Sequence, residues 1–204
     1  MRVAVFGATG RTGALVVAQA RARGLDVTAL SRHPASLPSD GTVRVVDGDA
    51  TNAAAVNEAL AGADAVLSVL AIPEGTEETT ALSDATRTIA RRMAIGGPRR
   101  LVVTANTSVF HDREVADPYR VVAHEHRRNL AMLRGSDLLW SVLAAPYLVD
   151  APGVGRYDAV VEGPPPGKNI TRSDFALAVL DALSLGGWTR RAVGVSDPVE
   201  APDG

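Results

Sequence analysis

The chain has 204 residues, with 21 Lys and Arg against 23 Asp and Glu and no Cys. A formal charge of -2 excludes a dedicated nucleic-acid or polybasic membrane surface, and the missing Cys excludes a disulfide framework and any thiolate metal site. The length suits one domain, residues 1–204, able to bury roughly 70% of its unfolded surface without staples.

Met1 and Arg2 lead straight into an apolar run at residues 3–6 (VAVF), so no leader segment is expected. The longest apolar runs are strand-sized, which predicts no membrane span and a cytoplasmic protein. Further strands are predicted at 26–31, 43–48, 64–71, 100–105, 138–146 and 192–196. Amphipathic helices are predicted at 13–23, 53–61, 80–93, 121–134 and 173–185. The strands are nearly continuous apolar runs, as a parallel sheet covered on both faces requires. Strand–helix repetition with right-handed crossovers then predicts a doubly wound, Rossmann-like α/β fold in three α/β/α layers. Three polar or Pro/Gly-rich loops, at 72–79, 108–118 and 149–169, follow strand ends on the side where such sheets bind ligands. The tail, DPVEAPDG, reads as frayed.

The first strand runs into GATGRTG, with glycines at 7, 10 and 13. Gly7 would let the backbone turn off the strand. Gly10 would let a phosphate approach the main chain, and Gly13 would let the first helix pack closely. The start of that helix then presents free N–H groups and the positive end of its dipole to an anion. Thr9 and Thr12 can add hydroxyl donors, and Arg11 sits where it can lie along a pyrophosphate. The alternative is a plain tight turn. No Gly-Lys-Ser/Thr follows, which excludes a Walker A loop.

The second strand ends in LSRH. An acidic residue there would favour NAD; Arg32 instead suits the 2′-phosphate of NADP(H), with His33 beside it. The competing reading makes Arg32 a solvated loop residue. After the third strand, Asp49 can accept from an adenine amino group with Ala50 beside the ring, or it can cap the next helix.

The GATGRTG string, Ser31-Arg32, Gly48-Asp49-Ala50, the AGADAV approach to the fourth strand, Thr107-Ser108 and ITRSDFA together resemble the NmrA-like, atypical short-chain dehydrogenase/reductase proteins. Within that group the chain is most similar to the flavin reductase/biliverdin reductase B type. The resemblance implies NADPH bound across the C-terminal ends of the strands and hydride passed to a planar small-molecule acceptor: a flavin, a quinone or a tetrapyrrole-like ring. Carried over by position, Gly7 to Thr12 hold the pyrophosphate, with Gly13 behind them. Arg32 holds the 2′-phosphate, and Asp49 and Ala50 the adenine. Leu70 and Ala71 border the cofactor, and Thr104 and Ser108 lie beside the nicotinamide ribose and ring. Pro146-Tyr147 stands where the family has Pro-His, Ala71 where the branch often has Gly, and Pro73 where its relative offers Arg.

Ordinary short-chain dehydrogenases pair a Tyr with a Lys four residues on; here Ala123 stands four after Tyr119, and the single Lys is Lys168. A flavin-like acceptor requires less of the protein, chiefly contact and orientation. Ser108 would then hydrogen-bond near the reacting ring, Tyr147 would flank the acceptor, and His126 is the candidate proton donor. Ser108 as a loop cap and Tyr147 as a rim aromatic are the competing readings. His124 and His126, two apart on a predicted helix, face different sides, so no metal site is expected. No nucleic-acid or membrane partner is expected, and a monomer is favoured. Two rivals remain at this stage. One is a non-catalytic NADP-binding redox sensor; the other is a quinone or biosynthetic tailoring reductase on the same fold.

Overall fold

In the computed structural model of the chain, which describes residues 1–38 and 41–199, the first strand, β1 (Arg2–Phe6), is covered on both faces. Val3 and Val5 join one buried cluster, while Ala4 and Phe6 join the other, as the two-residue period of a strand dictates. The elements then run α1 (Arg11–Ala22), β2 (Asp26–Ser31), β3 (Val43–Asp47), α2 (Ala53–Leu60), β4 (Ala65–Ser68), α3 (Ala81–Gly96) and β5 (Arg100–Asn106). They continue with α4 (Arg120–Arg134), β6 (Leu139–Ala145), β7 (Tyr147–Val149), β8 (Asp158–Val161), β9 (Asn169–Thr171), α5 (Arg172–Asp181) and β10 (Arg191–Ser196).

The main sheet has the order β3-β2-β1-β4-β5-β6-β10-β8. Every pairing is parallel except β8 on β10, which closes the edge antiparallel. Helices α1 and α5 cover one face through Val16, Val17, Ala20, Phe175 and Val179. Helices α2, α3 and α4 cover the other through Val56, Ile89, Met93, Leu130 and Leu133. This is the three-layer, Rossmann-like α/β/α arrangement. The chain reverses its direction of travel across the sheet between β1 and β4, which opens a crevice at the C-terminal ends of those strands.

Two features differ from the expectation. Residues 149–169 were expected to be loop throughout, yet they hold β8 and lead into β9, which pairs with β7 in a small second sheet. These strands are only three or four residues long, and β8 is mostly exposed, so none shows the longer buried apolar run of β1. The fourth strand also ends at Ser68 rather than at 71; beyond it Val69 donates its N–H to the Phe6 carbonyl and the chain leaves the sheet beside Gly7. Residues 200–204 of the tail lie outside the described residues.

Candidate functional site

The glycine loop is shaped by contacts no side chain could share. Gly7 has φ +86°, and a Cβ there would stand 2.6 Å from the Val69 carbonyl oxygen. A Cβ on Gly13 would lie 2.0 Å from the Gly7 carbonyl oxygen, so the first turn of α1 packs onto the loop itself. Gly10 is the residue before the helix; its N–H donates to the Gly7 carbonyl at 3.1 Å, and an added Cβ would meet only that oxygen, at 3.3 Å. No side chain caps α1, and its first turn holds no acidic residue. A helix start with open N–H donors and an exposed flank is a seat for an anion. The residues present therefore fit a dinucleotide diphosphate. Thr9 is exposed and Thr12 is buried beside the first turn.

Beside the loop lies a cleft of about 470 Å³ at the C-terminal ends of β1 to β4. It brings together Gly7, Thr9, Arg32, Asp49, Ala50, Leu70 and Ala71, and His33 also lines it. Arg32 is largely exposed, with Nε 3.8 Å from Asp49 Oδ2. Asp49 Oδ1 accepts from the Thr51 N–H at 2.8 Å and the Thr51 hydroxyl at 2.6 Å. Those two bonds from Thr51, with a smaller contribution from Arg32, hold the Asp49 carboxyl below the usual carboxylate range. The cap of α2 is Asn52, which accepts from the N–H groups of Ala54 and Ala55. Asp49 is thus an ionised acceptor inside the cleft, and the capping alternative falls to Asn52.

The remaining predicted residues lie outside the lining of that cleft, among them Thr104 in β5, Ser108 just past it, His126 in α4 and Tyr147 just past β6. Thr104 is buried near the end of β5, with its hydroxyl 3.5 Å from the Ser68 carbonyl. Ser108 is buried in the turn Thr107–Phe110; its hydroxyl donates to the Asn106 side-chain oxygen, which also accepts the Ser108 N–H at 3.1 Å. His126 is buried in α4, where Nδ1 accepts the Asn106 N–H at 3.2 Å. Burial pushes its pKa down to about 4, so the imidazole is neutral at pH 7. Tyr147 is 65% exposed on β7 and meets the ring of Tyr119 edge-on, with centroids 6.4 Å apart. Arg11, the first residue of α1, pairs its guanidinium with Asp150 at 2.9 Å.

Sequence reasoning missed Arg172 and Asp150. Arg172, which opens α5, is only 13% exposed and donates from Nε to Asp150 Oδ1 at 2.7 Å. Thr171, the residue before it, caps α5 by accepting the Asp174 N–H. Tyr119, which lacks a Lys four residues on, is brought to Tyr147 by the fold. Among the described residues no group of three or more His, Asp or Glu side chains is placed to hold a metal, and no helix is long and apolar enough to cross a membrane.

A family model described as NAD(P)H-binding matches residues 7–185. A reductase of Streptomyces griseus that acts on (4-alkanoyl-5-oxo-2,5-dihydrofuran-3-yl)methyl phosphate is 30% identical over 96% of this chain and 68% of its own length. An uncharacterized Bacillus subtilis protein, YwnB, is 28% identical over 90% of this chain and 92% of its own. Among solved structures, ChuY of Escherichia coli O157:H7, named an anaerobillin reductase, superposes with a TM-score of 0.82 at 20% identity, covering 100% of both chains. That last likeness is one of fold.

Proposed function

This chain belongs to the NAD(P)H-binding family, and from that premise we propose that it is a reductase that takes NADPH and delivers hydride to a flat conjugated acceptor such as a flavin. The observation that carries the proposal is the glycine cradle at the β1–α1 junction, opening into a cleft with a guanidinium at the end of β2. The loop from Gly7 to Thr12 would hold the diphosphate with backbone donors. Arg32 would hold the 2′-phosphate, which is why NADPH is preferred to NADH. Asp49 and Ala50 would take the adenine, with Leu70 and Ala71 closing the apolar side of the cleft.

When bound, NADPH supplies the hydride, so the protein has to bind, orient and shield the reactants rather than provide a strong acid or base. Thr104, near the C-terminal end of β5, and Ser108, in the turn just past it, stand on the side where the nicotinamide end would lie. Tyr147, backed edge-on by Tyr119, offers an exposed aromatic surface for a planar acceptor. His126 holds the main chain of Asn106 and, being neutral, has no proton to spare beyond its remaining N–H. The names of two similar proteins, one a reductase of a dihydrofuranone that carries a methyl phosphate group and one an anaerobillin reductase, support reduction as the reaction class.

The test mixes purified protein with NADPH and, separately, FMN, riboflavin, a quinone and biliverdin, following loss of the reduced-nicotinamide absorbance. Turnover with at least one acceptor is expected. No turnover with any, alongside binding that separates oxidised from reduced cofactor, would replace this reading with a sensor.

A further inference from the structure

The carboxylate of Asp150, just past β7, is clamped between two guanidiniums. Its Oδ2 accepts from Arg11 Nη1 at 2.9 Å, and its Oδ1 accepts from Arg172 Nε at 2.7 Å. Each arginine is the first residue of a helix, Arg11 of α1 and Arg172 of α5. Arg172 also reaches the anion seat directly: its Nη1 lies 3.4 Å from the hydroxyl of Thr12, the second residue of α1. Its Nη2 contacts the Leu148 carbonyl at 3.4 Å, which keeps the side chain against the protein rather than in water.

Two cations and a threonine hydroxyl therefore converge on the start of a helix whose own N–H donors have no side-chain cap. Asp150, itself 60% exposed, bridges the two guanidiniums. Exposed ion pairs are weak because water and salt screen them. A diphosphate brings two negative charges and several acceptor oxygens to the same donors, where the carboxylate brings one charge and two oxygens.

We propose that Asp150 is an internal anion that occupies Arg11 and Arg172 in the ligand-free protein, and that the diphosphate of the dinucleotide displaces it and takes Arg172 as a direct binding residue. This rests on the reading that the start of α1 holds the diphosphate. The pair then works as a competitive restraint: the side chain that strengthens binding is held by a neighbour that opposes it. Removing the carboxylate should tighten binding, whereas removing the guanidinium should weaken it.

The experiment titrates the full chain, as wild type, Asp150→Asn and Arg172→Gln, with NADPH, inorganic pyrophosphate and adenosine 2′-monophosphate, by calorimetry. Asp150→Asn is expected to lower the Kd for NADPH and for pyrophosphate by about 3- to 10-fold and to leave adenosine 2′-monophosphate unchanged, since only the first two carry a diphosphate. Arg172→Gln is expected to raise the first two by about tenfold or more. If Arg172→Gln loses its circular dichroism spectrum, Asp150→Asn decides alone. Wild-type binding of NADPH with Asp150→Asn unchanged or weaker overturns this inference and leaves the cofactor reading standing. A wild type that binds no dinucleotide overturns both.

Discussion

Arg32 and Asp49 meet just beyond the ends of β2 and β3, with 3.8 Å between Nε and Oδ2. The pair is loose, Thr51 holds the other carboxylate oxygen, and the largely exposed guanidinium keeps donors on its solvent side. Arg32→Ala should therefore weaken NADPH by about 10- to 100-fold while changing NADH by less than about threefold. Fluorescence titration of the two nucleotides side by side measures this. Equal losses would remove Arg32 from the 2′-phosphate.

The glycines separate by contact rather than by motif. Gly13→Ala forces a Cβ to 2.0 Å from a backbone oxygen that no flexible side chain can vacate. It should cost about 3 kcal/mol, or about 6–12 °C in melting temperature for a chain of this size. Gly96→Ala is the control: it lies in α3 with nothing within 4 Å of an added Cβ, and should be neutral or stabilising by about 0.5–1 kcal/mol. Differential scanning calorimetry distinguishes the two outcomes.

The contrast also shows what the sequence made legible. Strands β1 to β6 are announced by continuous apolar runs, and Gly7 and Gly13 by their place between a strand and a helix. Short edge strands leave no such trace: β8 shows a part-buried residue followed by three exposed ones. Nor does a sequence reveal whom a long side chain will meet. Arg11 pairs with Asp150, 139 residues away, a contact that no motif marks. Asp49 was a plausible cap for α2, and the fold shows Asn52 accepting the helix N–H groups instead. Ser108, a candidate beside the reacting ring, carries its hydroxyl bond to Asn106, a local geometry that motif spacing does not encode.

His126 makes the protein acid-sensitive. Its pKa falls from an ordinary 6.5 to about 4 on folding, because burial penalises the charged ring. Between those values the unfolded chain binds the proton and the folded chain does not, so stability is fully present above about pH 6.5 and is lost as pH falls towards 4. The slope is about 1.4 kcal/mol per pH unit within that window. His126→Asn, which can still accept the Asn106 N–H, should flatten the slope in urea melts recorded from pH 4 to 7.

Tyr147 is exposed and contributes one ring contact, with Tyr119. Its truncation to Ala should leave stability within about 0.5 kcal/mol. If the two rings form the acceptor platform, the KM for a planar acceptor should rise several-fold while the Kd for NADPH holds. Steady-state kinetics against acceptor, paired with a binding titration, reads both; a change confined to NADPH binding would move Tyr147 out of the acceptor site.

Glu125 belongs to α4, yet it serves the start of α3. Its Oε2 accepts the Ser83 N–H at 2.8 Å, and its Oε1 accepts the Ser83 hydroxyl at 2.9 Å and Arg128 Nη1 at 2.9 Å. The residue before α3, Thr80, makes no side-chain cap bond to the helix, so a fully buried carboxylate from another helix supplies one. The start of the same helix lines the cleft through Ala81, Leu82 and Ala85, which ties the shape of the cleft to this contact. Glu125→Gln replaces an acceptor with an NH2 group facing donors in a closed space, and should cost about 2–4 kcal/mol. Glu78→Gln is the matched control, since Glu78 is exposed and also contacts Arg128, and its melting temperature should stay at the wild-type value. If thermal melts rank the two variants equally, the cap is not what holds α3. If Glu125→Gln melts early and also binds NADPH less tightly at a temperature where it remains folded, the helix start and the cleft are coupled through that one carboxylate.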